Sequence, residues 1–321
     1  MNAAIDIGTN TVLLLIADYK IPPTPLLQRG RNGDLRIIRD EARITRLGQQ
    51  LHALQLFPPA AMKRTLAALK EYKTLCDHHQ VKEIAAVGTA AFRRARNAEE
   101  FTQEVLEKTG IRIEIISGEE EACLSYASVL KDFGDRHKNL MALDIGGGST
   151  EIISVDGAVS LPLGCVELTE RFLTSDPVRP TEIKYAYDII ENGLAGKGGR
   201  SDGSSQLTLV ALAGTATTLS AINQKLPLWD PAKIQGSIIT KTELDRMTKE
   251  LAQKTIVDRK KITGMVPERA DTLLAGAMIL QKVMEQYRIE KVLVSDRGLR
   301  FGLFYKRFIP NHHQHASVRE A

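Results

Sequence analysis

At 321 residues, with 43% apolar and 26% charged side chains, the chain is long enough for two ordinary domains, each with its own core. A net charge of +4 without a polybasic run or an aromatic–basic array excludes a dedicated nucleic-acid surface and suits an anionic substrate. Cys76, Cys123 and Cys165 lie too far apart for a disulfide framework or a zinc site, which favours a reducing compartment. Met1-Asn2 runs straight into a strand, and the apolar run 11–17 is too short to span a bilayer. The expectation is a cytoplasmic protein with neither signal peptide nor membrane span.

Residues 3–7 read as a short strand broken at Gly8-Thr9-Asn10-Thr11, and 12–17 as its hairpin partner. The Pro-, Gly- and Arg-rich segments 21–25 and 28–34 read as loop, 35–47 as strand. A helix of about 20 residues opens at Pro58, with Met62, Leu66, Leu69, Tyr72 and Leu75 on one core face. Residues 83–87 form a strand that runs into Gly88-Thr89-Ala90-Ala91-Phe92-Arg93, an anion contact in which Arg93 is the donor, whereas Arg94 and Arg96 read as a solvated face. A helix over 98–108 and a strand over 111–116 lead to Ser117, the N-cap of a helix that reaches about residue 131. Its first turn holds Glu119, Glu120 and Glu121, acids that favour the helix dipole. Glu121 is turned about 200° from Glu119, so the three cannot share one environment.

In the second half, the apolar strand 140–143 enters Asp144-Ile145-Gly146-Gly147-Gly148-Ser149-Thr150-Glu151 and leaves through 152–155. Three glycines let the backbone approach a ligand, and successive N–H groups form an anion nest. Ser149 and Thr150 add hydroxyls; Asp144 and Glu151 add carboxylates that a phosphate would repel unless a cation lay between them. Asp6-Ile7-Gly8 is echoed by Asp144-Ile145-Gly146, so the chain reads as two duplicated halves, each starting with a phosphate-facing hairpin. There follow a strand over 158–163, helices over 167–173 and 180–194, and a Gly/Ser-rich loop over 195–206. A buried strand over 207–212 ends in Ala213-Gly214-Thr215, again a glycine and a hydroxyl at a helix start. Residues 241–254 are amphipathic helix, and 268–271 cap another that runs through Gln286. The last strand, 291–294, enters Ser295-Asp296-Arg297-Gly298-Leu299-Arg300, and a final helix fades into a His-rich tail at 311–321.

Taken in order, Asp-Ile-Gly-Thr-Asn-Thr (6–11), Val-Gly-Thr-Ala-Ala-Phe-Arg (87–93), Ile-Ser-Gly-Glu-Glu-Glu-Ala (116–122), Asp-Ile-Gly-Gly-Gly-Ser-Thr-Glu (144–151), Pro-Leu-Gly-Cys-Val (162–166), Pro-Glu-Arg-Ala-Asp (267–271) and Ser-Asp-Arg-Gly-Leu-Arg (295–300) resemble the exopolyphosphatase / guanosine pentaphosphate phosphohydrolase family of the actin/Hsp70/sugar-kinase superfamily. The resemblance covers nearly the whole chain. It implies an α/β fold of two ribonuclease-H-like (actin-like ATPase) domains with an interdomain cleft: 1–125, joined by the C-terminal helix at about 300–321, and 126–299. It also implies hydrolysis of a terminal phosphoryl group from inorganic polyphosphate or guanosine pentaphosphate with Mg²⁺ or another divalent cation, and a homodimer as one arrangement. Residue by residue, Glu121 matches the family's catalytic glutamate, Asp144 and Glu151 its metal-binding and catalytic carboxylates, and Arg93 a phosphate-binding arginine. Thr9 and Thr11 stand where the family usually has serines, which keeps the hydroxyl, and the chain ends before the helical, HD-like domains of longer members. Weaker grip on long chains and lower processivity are expected as a result.

In this reading the metal ligands are Asp144, Glu151 and Asp6, with Asp6 acting instead of Asp144 or beside it. The phosphate cradle is Gly8, Thr9, Asn10, Thr11, Arg93, Gly146, Gly147, Gly148, Ser149, Thr150, Gly214 and Thr215, and Glu121 activates water. Two rivals stand beside it. An ATP-dependent small-molecule kinase would hold adenosine near Gly214-Thr215 and need an acceptor site. A non-enzymatic nucleotide- or anion-binding regulator would have no use for Glu121.

Overall fold

The computed structural model describes residues 1–20, 34–196 and 207–309. Of the loops expected at 21–25, 28–34 and 195–206, all but Asp34, which opens a strand, and residues 195–196 lie outside the described residues, as does the tail at 311–321. The chain forms two compact units, one holding Met1–Ser117 and the helix that begins at Leu299, the other Gly118–Gly298. The break falls ahead of residue 125 because the helix starting at Gly118 buries Ala122, Tyr126, Val129 and Phe133 in the second unit.

In the first unit the elements are β1 (Asn2–Ile7), β2 (Thr11–Lys20), β3 (Asp34–Ile44), α1 (Leu51–Leu54), α2 (Pro59–His78), β4 (Ile84–Gly88), α3 (Ala90–Arg94), α4 (Ala98–Thr109) and β5 (Ile113–Ile115). The sheet order is β3-β2-β1-β4-β5, antiparallel on the β3-β2-β1 side and parallel from β1 to β5. Alternation along β1 sends Ala3, Ile5 and Ile7 into the core with α2 and α4, and Ala4 and Asp6 to the opposite face. Helix α2 starts with proline at its first position, where no N–H is needed, and buries Leu66, Leu69 and Tyr72 on the expected face. Met62 and Leu75 lie at the margin of that core.

The second unit continues with α5 (Gly118–Phe133), β6 (Leu140–Ile145), β7 (Thr150–Ser154), β8 (Gly157–Leu161), α6 (Cys165–Phe172), α7 (Pro180–Leu194), β9 (Thr208–Leu212), α8 (Ala213–Asn223), α9 (Pro231–Ile234), β10 (Ile238–Thr240), α10 (Lys241–Gln253), α11 (Ile256–Arg259), α12 (Leu273–Gln286) and β11 (Lys291–Val294). Its sheet order, β8-β7-β6-β9-β11-β10, repeats that of the first unit strand for strand and direction for direction, with β10 added antiparallel at the edge. Met141, Leu143, Leu209 and Ala211 face the core that α6, α7, α8, α10 and α12 build. Leu140, Ala142, Val210 and Leu212 face α5. Of residues 268–271, expected to cap a helix, Glu268 and Arg269 belong instead to a 3₁₀ turn (Pro267–Arg269), and Thr272 stands at the N-cap of α12. No helix among the described residues is long and apolar enough to cross a membrane.

The last helix, α13 (Leu299–Phe308), returns to the first unit and packs on β1 and β2. Arg300 fixes it there through two 2.8 Å bonds, Nε to Asp40 Oδ1 and Nη2 to Asp40 Oδ2. The guanidinium is nearly buried, at 9% exposure against 26% for Asp40. Losing one partner of such a pair strands the other, so Arg300→Ala is expected to cost about 3 kcal/mol in urea unfolding. Arg300→Lys, without the two-pronged geometry, should recover only part of it.

Candidate active site

Both hairpins close in the same way. Gly8 N–H donates to Thr11 O at 3.0 Å and Gly146 N–H to Ser149 O at 2.9 Å, which leaves four-residue turns between Ile7–Val12 and Ile145–Thr150. The strands beneath them differ at one pair. Asp6 stands opposite Leu13, whereas Asp144 stands opposite Glu151. Alternation places Asp144 and Glu151 on the face of the second sheet that α5 covers, the side on which Leu140, Ala142 and Ile153 lie.

Helix α5 brings the third carboxylate. Glu119 is exposed, and Glu121, turned away from it, is half-buried. Glu151 is 1% exposed; its Oε1 accepts from Ser160 Oγ at 3.0 Å, and Ser149 gives it a further hydrogen bond. Burial, then the nearby charges of Glu121 and Asp144, push its carboxyl up to about 8 against the two serines. Asp144 is raised by burial too, and Ser125 Oγ, donating to its Oδ2 at 3.0 Å, works in the opposite direction. Three acids therefore share one low-dielectric neighbourhood. That arrangement costs stability and is found where function requires it.

The glycine turn is held from behind by α6. Cys165 N–H donates to Gly146 O at 2.9 Å, and Val166 and Glu167 N–H donate to Gly147 O at 3.0 and 3.1 Å. In a trans peptide the N–H points opposite to the C=O. The N–H groups of Gly147 and Gly148 are therefore turned away from α6, as an anion nest requires. Thr150, expected to bind phosphate, instead donates its buried hydroxyl to Leu163 O at 2.7 Å and ties the turn to the β8–α6 corner. Gly164 completes the contact, because a Cβ there would lie 2.3 Å from the Gly147 carbonyl carbon. Gly164→Ala is thus expected to push the turn out of place and weaken inorganic phosphate binding at least about tenfold by calorimetry.

The first hairpin is built alike. Thr45 and Arg46 N–H both donate to Asn10 O at 3.0 Å, and Gly48 N–H donates to Thr9 O at 2.8 Å. The carbonyls are taken by the 45–48 segment, and the N–H groups of Asn10 and Thr11 turn the other way. Thr9 and Asn10 are each 7% exposed, and the buried Asn10 Nδ2 meets no acceptor among the described residues, the signature of a donor kept for a ligand. At the end of β4, Gly88 is required by the Phe92 ring, which a Cβ would approach to 2.7 Å. Phe92 is anchored edge-on against Phe57 with centroids 5.1 Å apart, so the next residue, Arg93, is set at an exposed position. Its Nη1 donates to Ile116 O at 3.0 Å.

At the β9–α8 junction the picture changes. Ala213 has a left-handed φ of 62°, and Gly214 lies under the guanidinium of Arg269, whose Cζ would be 2.0 Å from a Cβ. Thr215 is buried, in hydrogen-bond contact with Cys165 and packed against Gly276. The structure thus gives Thr215 an interior packing place and adds a cation, Arg269, that sequence reading left inside a helix cap. The Pro-Glu-Arg-Ala-Asp motif marks this arginine in the sequence but not the distant glycine junction that it covers. The two arginines of residues 295–300 are engaged within the fold, Arg297 with Asp132 and Arg300 with Asp40.

No group of three or more His, Cys, Asp or Glu side chains with metal-caging geometry occurs among the described residues. A magnesium ion needs less, since one or two carboxylates suffice when phosphates and water supply the other oxygens. Asp144 and Glu151, paired across the hairpin and repelling each other in a buried place, fit that demand. Asp6, opposite Leu13, offers a carboxylate at the base of the first hairpin turn.

Residues 26–310 match the family model of the Ppx/GppA phosphatase family. Exopolyphosphatase 2 of Mycobacterium tuberculosis is 35% identical over 94% of this chain and 96% of that protein. Guanosine-5'-triphosphate,3'-diphosphate pyrophosphatase of Photobacterium profundum is 28% identical over 99% of this chain, which spans 61% of that protein. Among solved structures, the Aquifex aeolicus Ppx/GppA protein superposes with a TM-score of 0.78 at 33% identity, covering 97% of this chain and 98% of that one. An exopolyphosphatase from Cytophaga hutchinsonii gives 0.83 at 26%, covering 95% and 96%.

Proposed function

Because the chain belongs to the Ppx/GppA phosphatase family, we propose that it is an exopolyphosphatase, releasing orthophosphate from the ends of inorganic polyphosphate. The observation that carries this reading is the convergence of Glu121, Asp144 and Glu151 beneath the Gly146–Ser149 turn. A pure anion binder gains nothing from three acids beside its nest. A kinase would need an acceptor site, and no observation supplies one.

The turn binds the terminal phosphate through the N–H groups of Gly147 and Gly148 and the Ser149 hydroxyl. Arg93 and the Gly8–Thr11 hairpin, with the Asn10 amide, bind phosphate oxygens as well. Glu121 orients a water and accepts its proton as the new O–P bond forms. The bridging P–O bond breaks, and the departing chain end keeps its electron pair. Mg²⁺ or another divalent cation, held by Asp144 and Glu151 with Asp6 a further candidate ligand, would neutralise charge on the phosphate oxygens. Positioning and charge stabilisation suffice for this class of reaction.

The test is phosphate release from long polyphosphate, short polyphosphate, guanosine pentaphosphate and ATP, with and without Mg²⁺. Release from polyphosphate is the expected result. Guanosine pentaphosphate as the better substrate would move the assignment to the family's other activity. Transfer to an added acceptor, or release from none of the four, would overturn it. The same preparations examined by size-exclusion chromatography test the homodimer.

A further inference from the structure

Helix α5 carries two stripes. Ala122, Tyr126, Val129 and Phe133 are apolar and buried against the second sheet. One residue earlier at each step run Glu121, Ser125, Ser128 and Asp132, spaced so that all four lie on one side of the helix. Every member of this second stripe below Glu121 is hydrogen-bonded to a residue outside α5. Ser125 donates to Asp144 at 3.0 Å. Ser128 Oγ shares its proton between Ser125 O at 2.8 Å and Arg297 O at 2.7 Å. Asp132 accepts from Arg297 Nη1 at 3.1 Å and from Gln235 Nε2 at 3.0 Å. Gln235 in turn accepts from Ser295 Oγ at 2.9 Å and Asp296 N–H at 3.0 Å, so the Ser295–Arg297 turn is locked twice.

We infer that Asp132 is a positioning residue for Glu121, acting through its ion pair with Arg297 to fix the axial register of α5. Apart from the Tyr126 hydroxyl, which donates to Leu140 O at 3.2 Å, the apolar stripe supplies adhesion but little direction, because apolar burial is roughly proportional to area and insensitive to orientation. A slide of α5 along its axis would keep much of that burial and move Glu121 relative to Asp144. The directional bonds of the polar stripe forbid the slide. Asp132 is 9% exposed and Arg297 34%, and a buried ion pair adds little net stability but is well suited to fixing a register. The lever is stiff, since the 11 residues from Glu121 to Asp132 span about 16 Å of continuous helix. The stripe also joins the residues at which the chain enters and leaves this unit, Gly118 at the start of α5 and Gly298 beyond Arg297.

The inference rests on the hydrolytic reading, and its test separates the two. Asp132→Asn keeps an acceptor for Gln235 and loses the charge facing Arg297; Asp132→Glu keeps the charge on a longer arm. Steady-state kcat and KM for short polyphosphate are measured with thermal melts of each variant, beside Ile190→Val, a core trim distant in sequence from the stripe. A displaced general base lowers kcat, so Asp132→Asn is expected to lose about tenfold in kcat. KM should stay within about twofold, because phosphate binding does not use α5. Asp132→Glu is expected to recover most of the loss, and Ile190→Val to keep the original kcat despite a lower melting temperature. A kcat for Asp132→Asn within about twofold of the parent, or a fall no larger than that of Ile190→Val, would overturn the inference while leaving the hydrolase reading intact. A parent protein that releases no phosphate would overturn both. Should Asp132→Asn fail to fold, Ser128→Ala, which removes a hydroxyl from the same stripe, carries the test with the same expected split between kcat and KM.

Discussion

Glu121→Gln is expected to lower kcat for phosphate release by about 10²–10⁴-fold while inorganic phosphate still binds. Glutamine has the same shape and hydrogen-bonding reach but cannot accept the water's proton. In the proposed reading phosphate is bound by N–H groups and the hydroxyl of the Gly146–Ser149 turn, which the substitution does not touch. Removing one of three mutually repelling acids should also lower the Glu151 carboxyl towards its ordinary value, so the variant is expected to melt no earlier than the parent. The control is Glu119→Gln. It removes an acid from the same first turn, and so makes the same change to the helix dipole, at an exposed position about 200° round the helix. If both variants lose activity equally, the acids serve the helix N-terminus and Glu121 has no separate chemical part. If only Glu121→Gln loses it, water activation is located at that carboxylate.

The contrast between these two glutamates shows what sequence reading reaches. Helical periodicity separates Glu119 from Glu121, and the Asp6-Ile7-Gly8 echo at Asp144-Ile145-Gly146 predicts two like-built sheets, because both are local patterns written in adjacent residues. The repeated strand order confirms that duplication. Strand β10 escaped because three residues are too few for alternation to register. The deeper omissions concern contacts between residues far apart in the chain. Nothing near Gly164 announces that it must lie against Gly147, and nothing near Arg269 that it covers Gly214. Thr150 looked like a phosphate ligand because hydroxyls beside glycine turns often are. Its hydroxyl is spent on Leu163, and only the register of β7 against β8 decides that.

The Glu151 carboxyl makes a different prediction, one that needs no substrate. Its folded value is near 8 and its ordinary value 4.5, so between those limits the folded protein holds a proton that the unfolded chain has released. Stability of the cation-free protein must therefore fall as pH rises through that window, and the loss is complete above about pH 8. A divalent cation at Asp144 and Glu151 replaces the proton. It should raise the melting temperature little at about pH 6 and much more at about pH 9, with up to about one proton released per ion near neutrality. Glu151→Gln removes both the titration and a ligand. It is expected to flatten the pH dependence of the chelator-treated protein, raise its stability by a few kcal/mol at alkaline pH, and abolish the cation's effect on melting. A chelated parent whose melting temperature is level from about pH 6 to about 9 would mean that Glu151 is ionised throughout. The burden of three crowded acids would then be relieved by the protein itself, with no part left for a metal ion in doing so.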